Sequence, residues 1–368
     1  MKSLSQCSVL LVDDTEANLD ILVSSLEDDY EVSVAKDGVS ALEHVAKHLP
    51  DLILLDIVMP HMDGYEVCAR LKEDPVTHHI PVIFLTVKDE EEDEAQGLAL
   101  GAVDYITKPF STMLVKARVR NHLLLKCHQD YLEELVQERT HQLQSTQDVT
   151  IKIMATLAEY RDPGTVGHIR RTKEYLKILA EHLRDHPSYT HFLDDATIDL
   201  LYKSAPLHDI GKVGVPDYLL LKPGPLTPEE FKEMKRHCFY GLKAMEVAEK
   251  ELGVHSFLSL AGEIAYSHHE KWDGSGYPQG LSGDAIPISG RLMALVDVYD
   301  ALISKRVYKR PFGHEKAVEI IKAGKGYHFD PLMVEAFLEL GERFRSIALE
   351  FADHEEERQS LMPSGEKV

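Results

Sequence analysis

A regular alternation of short apolar runs and amphipathic segments occupies the first third of the chain and leaves few folds open. Apolar runs typical of β-strands fall at residues 9–12, 31–35, 52–55, 82–85 and 105–107. Segments with helical periodicity fall at about 17–28, 38–49, 64–74, 89–100 and 112–125. Because the strands are almost continuously apolar, they predict a parallel sheet that is buried on both faces. We therefore expect residues 1–122 to form a doubly wound α/β domain with a five-stranded sheet.

Polar side chains follow these predicted strands, at the edge where such sheets gather their functional groups. Asp13 and Asp14 end the first strand, Asp56 the third, Thr86 the fourth and Lys108 the fifth. Neighbouring carboxylates repel one another unless a hard cation such as Mg²⁺ lies among them. With Mg²⁺ bound, one carboxylate can attack a phosphoryl group and hold it as an acyl phosphate, which Thr86 and Lys108 would contact. The alternative is a set of separately solvated loop acids.

Residues 123–150 continue the last helix of this domain without glycine or proline. Leu125, Leu132, Val136 and Leu143 form an apolar stripe with spacings of seven, four and seven residues. That pattern is typical of a coiled-coil seam and predicts a homodimer through this linker helix. The alternative is one amphipathic helix that packs on its own domain. A seam would also give phosphorylation a mechanical route to the C-terminal half.

Strand signals are absent from residues 151–345, where helical segments alternate with turns rich in proline and glycine, so an all-α bundle is expected. Facing helices of a bundle are a common place for metal sites. The adjacent pair His208-Asp209 offers an imidazole and a carboxylate that can bridge two cations. The other ligand candidates are His168, His237, His268, His269 and Asp297. We expect them to converge on a dinuclear site, although a surface histidine at 237 and a hydrogen-bonded core aspartate at 297 are the alternatives.

This ligand set indicates hydrolytic chemistry. Nitrogen and oxygen ligation without thiolate suits Fe, Mn, Ni, Co or Zn and does not choose among them. Two bridged cations lower the pKa of a shared water and hold a phosphoryl oxygen for in-line attack. Lys212, one turn beyond Asp209, can stabilise the charge that develops in that attack. The alternative is that Lys212 is only an exposed cation at a helix end.

A second dense stretch follows the histidine pair. Gly276 permits close approach of the backbone to a ligand, and Tyr277 can stack on a base or hydrogen-bond a phosphate. Arg306 and Lys309 add local positive charge to an otherwise acidic protein. A phosphodiester substrate needs such cations.

Charge and composition exclude several classes of protein. The formal net charge of −22 argues against general binding to DNA or to an anionic membrane surface. The four cysteines are scattered without a CxxC pair, which indicates a reduced, cytoplasmic protein. No signal peptide is recognised, and no apolar run approaches the roughly 20 residues of a membrane span. Residues 346–368 are polar and acidic, and we expect a frayed tail there.

The motifs VDD at 12–14 and LLDIVMPHMDG at 54–64, with Thr86 and Lys108-Pro109, resemble the receiver domain of two-component response regulators. The resemblance implies that Asp56 is the phosphoacceptor and that a sensor histidine kinase is the partner. It also implies that Asp13, Asp14 and the Val58 carbonyl serve Mg²⁺, with Thr86 and Tyr105 as the switch pair and Lys108 beside the phosphoryl group.

The motifs HIRRT, APLHDIGKVGVPD, HHEKWDGSGYPQGLSG and IPISGRLMALVDVYDAL resemble the HD-GYP family of cyclic di-GMP phosphodiesterases over residues 151–345. The resemblance implies hydrolysis of cyclic di-GMP to linear pGpG, and onward cleavage of pGpG to GMP. It implies a catalytic role for Lys212 and substrate contacts from Tyr277, Arg306 and Lys309. The implied metal ligands are His168, His208, Asp209, His237, His268, His269 and Asp297.

One position departs from the pattern of that family. Some members carry a glutamate four residues before the first ligand histidine and use it to bind a third metal. Gly164 occupies that position here and has no ligand atom, so two cations are expected rather than three. The competing hypothesis is a phosphorylation-gated nucleotide sensor with a degenerate metal site.

Overall fold

The computed structural model describes residues 2–87, 91–159, 166–253, 256–305 and 310–362. The chain divides into two compact units, Met1–Gln142 and Leu143–Val368. Each unit has its own apolar core, so each is described separately.

The first unit is built on a five-stranded parallel sheet with the strand order β2-β1-β3-β4-β5. The strands are β1 (Ser8–Val12), β2 (Glu31–Ala35), β3 (Leu52–Asp56), β4 (Val82–Thr86) and β5 (Asp104–Thr107). The helices are α1 (Glu16–Leu26), α2 (Gly38–Lys47), α3 (Gly64–Glu73), α4 (Glu91–Ala99) and α5 (Thr112–Glu159). The predicted doubly wound α/β fold is confirmed.

Both faces of this sheet are buried because successive strand residues point to opposite sides. In β1, Val9 and Leu11 pack in the core formed with α1 and α5. Leu10 and Val12 pack in the core on the other face, with residues of α2 and α3. This alternation explains why the strands are apolar without a break and why their carboxyl ends meet at one edge.

Helix α5 continues without interruption to Glu159, so it begins in the first unit and ends in the second. The predicted stripe of Leu125, Leu132, Val136 and Leu143 lies on its surface, with each side chain between 57% and 71% exposed. These four side chains therefore do not pack on their own domain, and the seam stays a prediction.

The second unit is helical, as predicted for this half. Its helices are α6 (Val166–Leu183), α7 (Asp195–Ser204), α8 (Asp217–Leu220), α9 (Pro228–Met234), α10 (Arg236–Leu252), α11 (Phe257–Ser267), α12 (Ile288–Ile303), α13 (His314–Ala323), α14 (Pro331–Glu339), α15 (Gly341–Glu350) and α16 (Glu355–Leu361). Its main core surrounds stacked Tyr175 and Phe344, whose ring centroids lie 4.7 Å apart. Within the described ranges, no helix combines the length and apolar composition that a membrane crossing requires.

The C-terminal segment differs from its prediction. Of the residues 346–368 that were expected to fray, those up to 362 include the end of α15 and the whole of α16, and Glu357 and Leu361 are buried. Residues 363–368 lie outside the described residues. Glu357 accepts hydrogen bonds from the backbone N–H groups of Lys305 and Asp353 at 2.8 and 3.0 Å. The segment was not predicted to be ordered because its composition is polar, whereas its order comes from the buried Glu357 carboxylate together with a few apolar contacts, such as those of Ala348 and Leu361, with the core.

Candidate functional sites

The first unit brings Asp13, Asp14 and Asp56 together at the carboxyl edge of the sheet. Each offers a carboxylate oxygen, and these oxygens lie within 4.8 Å of one another. The Lys108 ammonium lies 2.8 Å from Asp13 Oδ2 and 2.8 Å from Asp56 Oδ2. Burial raises the pKa of the Asp56 carboxyl, and the Lys108 contact opposes this rise. Clustered carboxylates of this kind fit a hard divalent cation such as Mg²⁺.

The other residues implied for this site lie around it. Thr86 ends β4 and is buried, and Tyr105 in β5 is partly buried. The Val58 side chain is exposed, and the backbone of this residue hydrogen-bonds the Asp56 carboxylate. The role of its carbonyl stays a prediction. Sequence inspection missed Asn18, whose amide donates to Asp13 Oδ1 and Oδ2 at 3.0 and 3.1 Å. The only indication in the sequence was that Asn18 follows Asp13 by five residues, at the start of α1.

The second unit gathers the seven predicted ligands into two adjacent groups. Ligand atoms within each group lie within 4.8 Å of one another. His208 Nε2 joins the groups, at 3.4 Å from Asp209 Oδ2 and 3.5 Å from His168 Nε2. The first group is Asp209, His237, His268 and His269, and the second is His168, His208 and Asp297. We call these seven residues the metal centre.

Four imidazoles of the metal centre are fixed through their Nδ1 atoms. His208 donates to the Ala205 carbonyl at 3.0 Å, His237 to the Met234 carbonyl at 2.7 Å, and His268 to the Ile264 carbonyl at 3.0 Å, while His168 donates to Asp300 Oδ2 at 2.8 Å. A neutral imidazole has one donor and one acceptor, so in its neutral form each of these rings has its Nε2 lone pair available to a cation. Metal-ligating histidines are held in this way.

Asp300 was not predicted from the sequence, and neither was the arginine that holds it. Arg171 Nε donates to Asp300 Oδ1 at 2.6 Å, and the Arg171 side chain is only 1% exposed. The same guanidinium donates to the Phe351 carbonyl at 2.8 Å and to Asp353 Oδ2 at 3.2 Å. The orientation of His168 therefore depends on a buried ion pair that is tied to the C-terminal segment.

The polar atoms of the metal centre fit a cation. Among the described residues, buried Asp209 Oδ1 and His268 Nε2 have no hydrogen-bond partner, and such atoms are costly unless an ion or a donor meets them. Lys212 Nζ lies 2.6 Å from Asp209 Oδ2. Although burial opposes it, the charges of Lys212 and His208 hold the pKa of Asp209 well below its usual range. Asp209 is therefore ionised at physiological pH, as a metal ligand would need to be.

The local backbone places His208 and Asp209 between two short turns of 3₁₀-helix, Ala205–Leu207 and Ile210–Gly214. The second turn packs directly on α10. A Cβ atom at position 211 would lie only 1.9 Å from the His237 carbonyl oxygen, so only glycine permits this approach. The close packing brings Asp209 to the α10 histidine.

The loop after His268-His269 places Tyr277 beside the metal centre. Its ring centroid lies 4.7 Å from that of His269 and 5.8 Å from that of Phe231. Lys235 Nζ lies 4.8 Å from the Tyr277 centroid. Neither Phe231 nor Lys235 was predicted, because the turn between α9 and α10 brings them to the loop. Arg306 and Lys309 lie outside the described residues, as does Gly164.

Buried Glu270 holds this loop in place. Its Oε1 accepts from the Gln279 and Gly280 N–H groups at 2.7 and 3.2 Å, and its Oε2 accepts from the Leu281 N–H at 3.0 Å. Gly276 packs against the same residue, since a Cβ there would lie 2.5 Å from the Glu270 Cα. The loop is thus a rigid wall of the site.

The metal centre should compete for its cations with protons. Burial lowers the pKa of His208, but the charges of Asp209 and Asp297 outweigh burial and raise it to about 9. A ligand histidine must be neutral, so metal binding below this pH displaces a proton. We expect the apparent metal affinity to fall by up to about tenfold per pH unit below about pH 9. Titration against a chelator of known protonation would measure this, and an affinity independent of pH would contradict it.

The amino-acid sequence matches two known domain families. Residues 9–120 match the response regulator receiver domain, and residues 152–333 match the HD domain. The receiver-domain match includes Asp13, Asp14 and Asp56, and the HD-domain match includes the metal centre.

Three curated relatives show how far the similarity extends. A Vibrio cholerae serotype O1 protein named as a probable cyclic di-GMP phosphodiesterase is 51% identical over 363 residues, covering 96% of this chain and 82% of the relative. The cyclic di-GMP phosphodiesterase response regulator RpfG of Xanthomonas campestris pv. campestris is 33% identical over 341 residues, covering 90% and 87%. The 3'3'-cGAMP-specific phosphodiesterase 2 of Vibrio cholerae is 40% identical over 211 residues, covering 57% and 38%.

Proposed function

The chain belongs to the family of cyclic di-GMP phosphodiesterase response regulators, with a receiver domain followed by an HD domain, and from this we propose that it hydrolyses cyclic di-GMP at its metal centre. The observation that carries the proposal is the convergence of two ligand groups on the His208-Asp209 pair. A pair of divalent cations held by these residues would suit phosphodiester hydrolysis.

We assign one cation to each ligand group of the metal centre, and Asp209, which lies near both groups, would be available to both cations. Bound divalent cations supply Lewis acidity, which lowers the pKa of water and withdraws charge from a phosphoryl oxygen. The chain itself supplies Lys212, which Asp209 holds at 2.6 Å and which would neutralise charge on the phosphoryl group. In the net reaction, the oxygen of water bonds to phosphorus and the bond from phosphorus to O3′ breaks. A proton from the water passes to the leaving O3′ oxygen. One such step opens the ring and gives linear pGpG, and a second step gives two molecules of GMP.

The loop after His268-His269 is proposed to bind the substrate beside the metal centre. Tyr277, which lies against His269 and Phe231, is assigned to a guanine base or a phosphate of the substrate. Gly276 is assigned to the substrate on the motif alone. Lys235 adds a positive charge beside that ring. Arg306 and Lys309 are assigned to the substrate phosphates on the motif alone.

Product chromatography tests the proposed activity. Protein loaded with Mn²⁺ or Fe²⁺ would be incubated with cyclic di-GMP, with pGpG and with 3′3′-cyclic GMP-AMP. We expect pGpG to form from cyclic di-GMP faster than cyclic GMP-AMP is cleaved. Preference for cyclic GMP-AMP would reassign the substrate. Binding of cyclic di-GMP without cleavage under any metal would favour the nucleotide sensor.

The first unit is proposed as the regulatory input, with Asp56 as phosphoacceptor for a sensor histidine kinase. Asp13, Asp14 and the Val58 carbonyl would hold Mg²⁺ there. Helix α5 begins in this unit and ends in the second, so it is the element proposed to carry the signal. A change in α5 would thereby reach the metal centre.

Asp56→Asn should abolish the response to a small phosphodonor such as acetyl phosphate, because an amide cannot form the acyl phosphate. The change in phosphodiesterase rate that acetyl phosphate causes in the wild type should be absent. The metal content of the second unit should be unchanged, as measured by elemental analysis. Exposed Asp20→Asn is the matched control on α1 and should respond like wild type. Loss of metal from the second unit in Asp56→Asn would contradict the claim that the phosphoacceptor site and the metal centre are independent.

The exposed stripe on α5 is proposed to form a homodimer seam. The double variant Leu132→Asp/Val136→Asp introduces two carboxylates into the stripe. It should convert a dimer to a monomer, because burying carboxylates in an apolar seam is costly. Light scattering after size exclusion would measure the mass. Gln137→Asp with His141→Asp adds the same substitutions outside the stripe and should leave the mass unchanged. A monomeric wild type would contradict the seam.

A further inference from the structure

Glu159, the last residue of α5, lies beside the metal centre but is outside the ligand set inferred from the motifs. Its Oε1 lies 3.7 Å from His168 Nε2, and its side chain is 14% exposed. Asp297 Oδ1 lies at the same distance of 3.7 Å from the same nitrogen. The ligand atom of His168 is thus flanked by two carboxylates, of which only Asp297 was assigned to a cation.

The surroundings of Glu159 differ from those of the carboxylates that are already neutralised. Asp209 has Lys212 at 2.6 Å, and Asp300 has Arg171 at 2.6 Å. Among the described residues, Glu159 has no hydrogen-bond donor, and its only ionic neighbour within 4.0 Å is His168. Asp297 likewise has only histidines as ionic neighbours among the described residues, namely His168 at 3.7 Å and His208 at 3.9 Å.

A separation of 3.7 Å is too long for a hydrogen bond but suits two ligands of one ion. Ligands that each lie about 2.1 Å from a cation are about 3–4 Å from each other. A largely buried carboxylate without a donor is costly, and a cation would remove that cost. The charge balance agrees, since two divalent cations and Lys212 exceed the charge of Asp209 and Asp297.

We infer that Glu159 is a further oxygen donor to the metal centre, on the His168 side. The inference deepens the proposed function, because it rests on cations binding at that centre. It also makes the end of α5 part of the centre.

Replacing Glu159 by glutamine keeps the size of the side chain and removes its charge. Metal-free wild type, Glu159→Gln and Glu159→Asp would be titrated with Mn²⁺, the probe, with free Mn²⁺ followed by electron paramagnetic resonance. We expect the Mn²⁺ affinity of Glu159→Gln to be at least about tenfold lower, with Glu159→Asp in between. The rise in Tm that Mn²⁺ causes should shrink in Glu159→Gln. The Tm of the metal-free protein should not fall, because an uncompensated charge has been removed.

Glu251→Gln is the matched control, since Glu251 is exposed near the end of α10. Wild-type affinity, stoichiometry and Tm gain in Glu159→Gln would overturn the inference, as would a lower Tm of its metal-free form. The assay reads bound metal and not turnover. Wild type that binds Mn²⁺ but cleaves no dinucleotide would therefore contradict the proposed function alone.

Discussion

Asp209→Asn is expected to lower kcat/KM for cyclic di-GMP by about a thousand-fold or more and to deplete bound metal. Asp209 Oδ1 lies 3.5 Å from His237 Nε2, and its Oδ2 lies 3.4 Å from His208 Nε2, so this one carboxylate faces both ligand groups. An amide keeps the shape but loses the charge and one oxygen. Residues that only orient a ligand cost about 10–100-fold when replaced, and a ligand shared by two cations should cost more. Steady-state kinetics with elemental analysis would measure both effects.

Asp199→Asn is the matched control for that variant. Asp199 also pairs with a lysine, Lys203 at 3.1 Å, but on the surface of α7. Exposed pairs of this kind contribute little, so activity and metal content should stay close to wild type. Full metal content in Asp209→Asn would show that this carboxylate does not hold the cations.

Arg171→Met should lower the free energy of unfolding by about 3–5 kcal/mol, because it leaves the Asp300 carboxylate buried without its partner. Arg171 and Asp300 are each 1% exposed. Urea denaturation of the metal-free protein would measure the loss. The metal-loaded protein should also lose affinity, since Asp300 orients His168 through its Nδ1 at 2.8 Å.

Arg170→Met changes the neighbouring, exposed arginine and should alter stability little. The double variant Arg171→Met/Asp300→Leu separates folding from orientation. It removes both charges, so it should recover much of the lost stability. It also removes the acceptor of His168, so metal affinity should stay low. Wild-type metal affinity in the double variant would contradict the orienting role of Asp300.

The sheet was predictable because its strands are apolar on both faces, and the carboxyl-edge rule then placed Asp13 and Asp56 together. The ligand candidates of the second unit were recognisable because imidazoles and carboxylates stood inside apolar helical sequence. Their pairing into two groups needed the tertiary structure, since His168 and Asp297 are far apart in the chain.

The supporting residues were not predictable from the sequence. Arg171, Asp300 and Glu270 are charged residues whose roles depend on partners brought together only by folding. Residues 228–251 have one continuous helical pattern in the sequence, but they form α9 and α10, which are separated at Lys235. The capping box of Thr227 and Glu230 marks where α9 begins, while no proline or glycine marks its end.

Three imidazoles of the metal centre are anchored to main-chain carbonyls of residues three or four positions earlier in the chain. Such anchors exist as soon as the backbone has folded, so assembly of the polypeptide does not have to wait for an ion. The binding site would then be formed before a cation binds, unlike that of small zinc-binding modules, which stay unfolded without their metal. Its occupant would be set by which divalent ion is abundant when the chain is made, so growth medium should change the metal recovered with the purified protein.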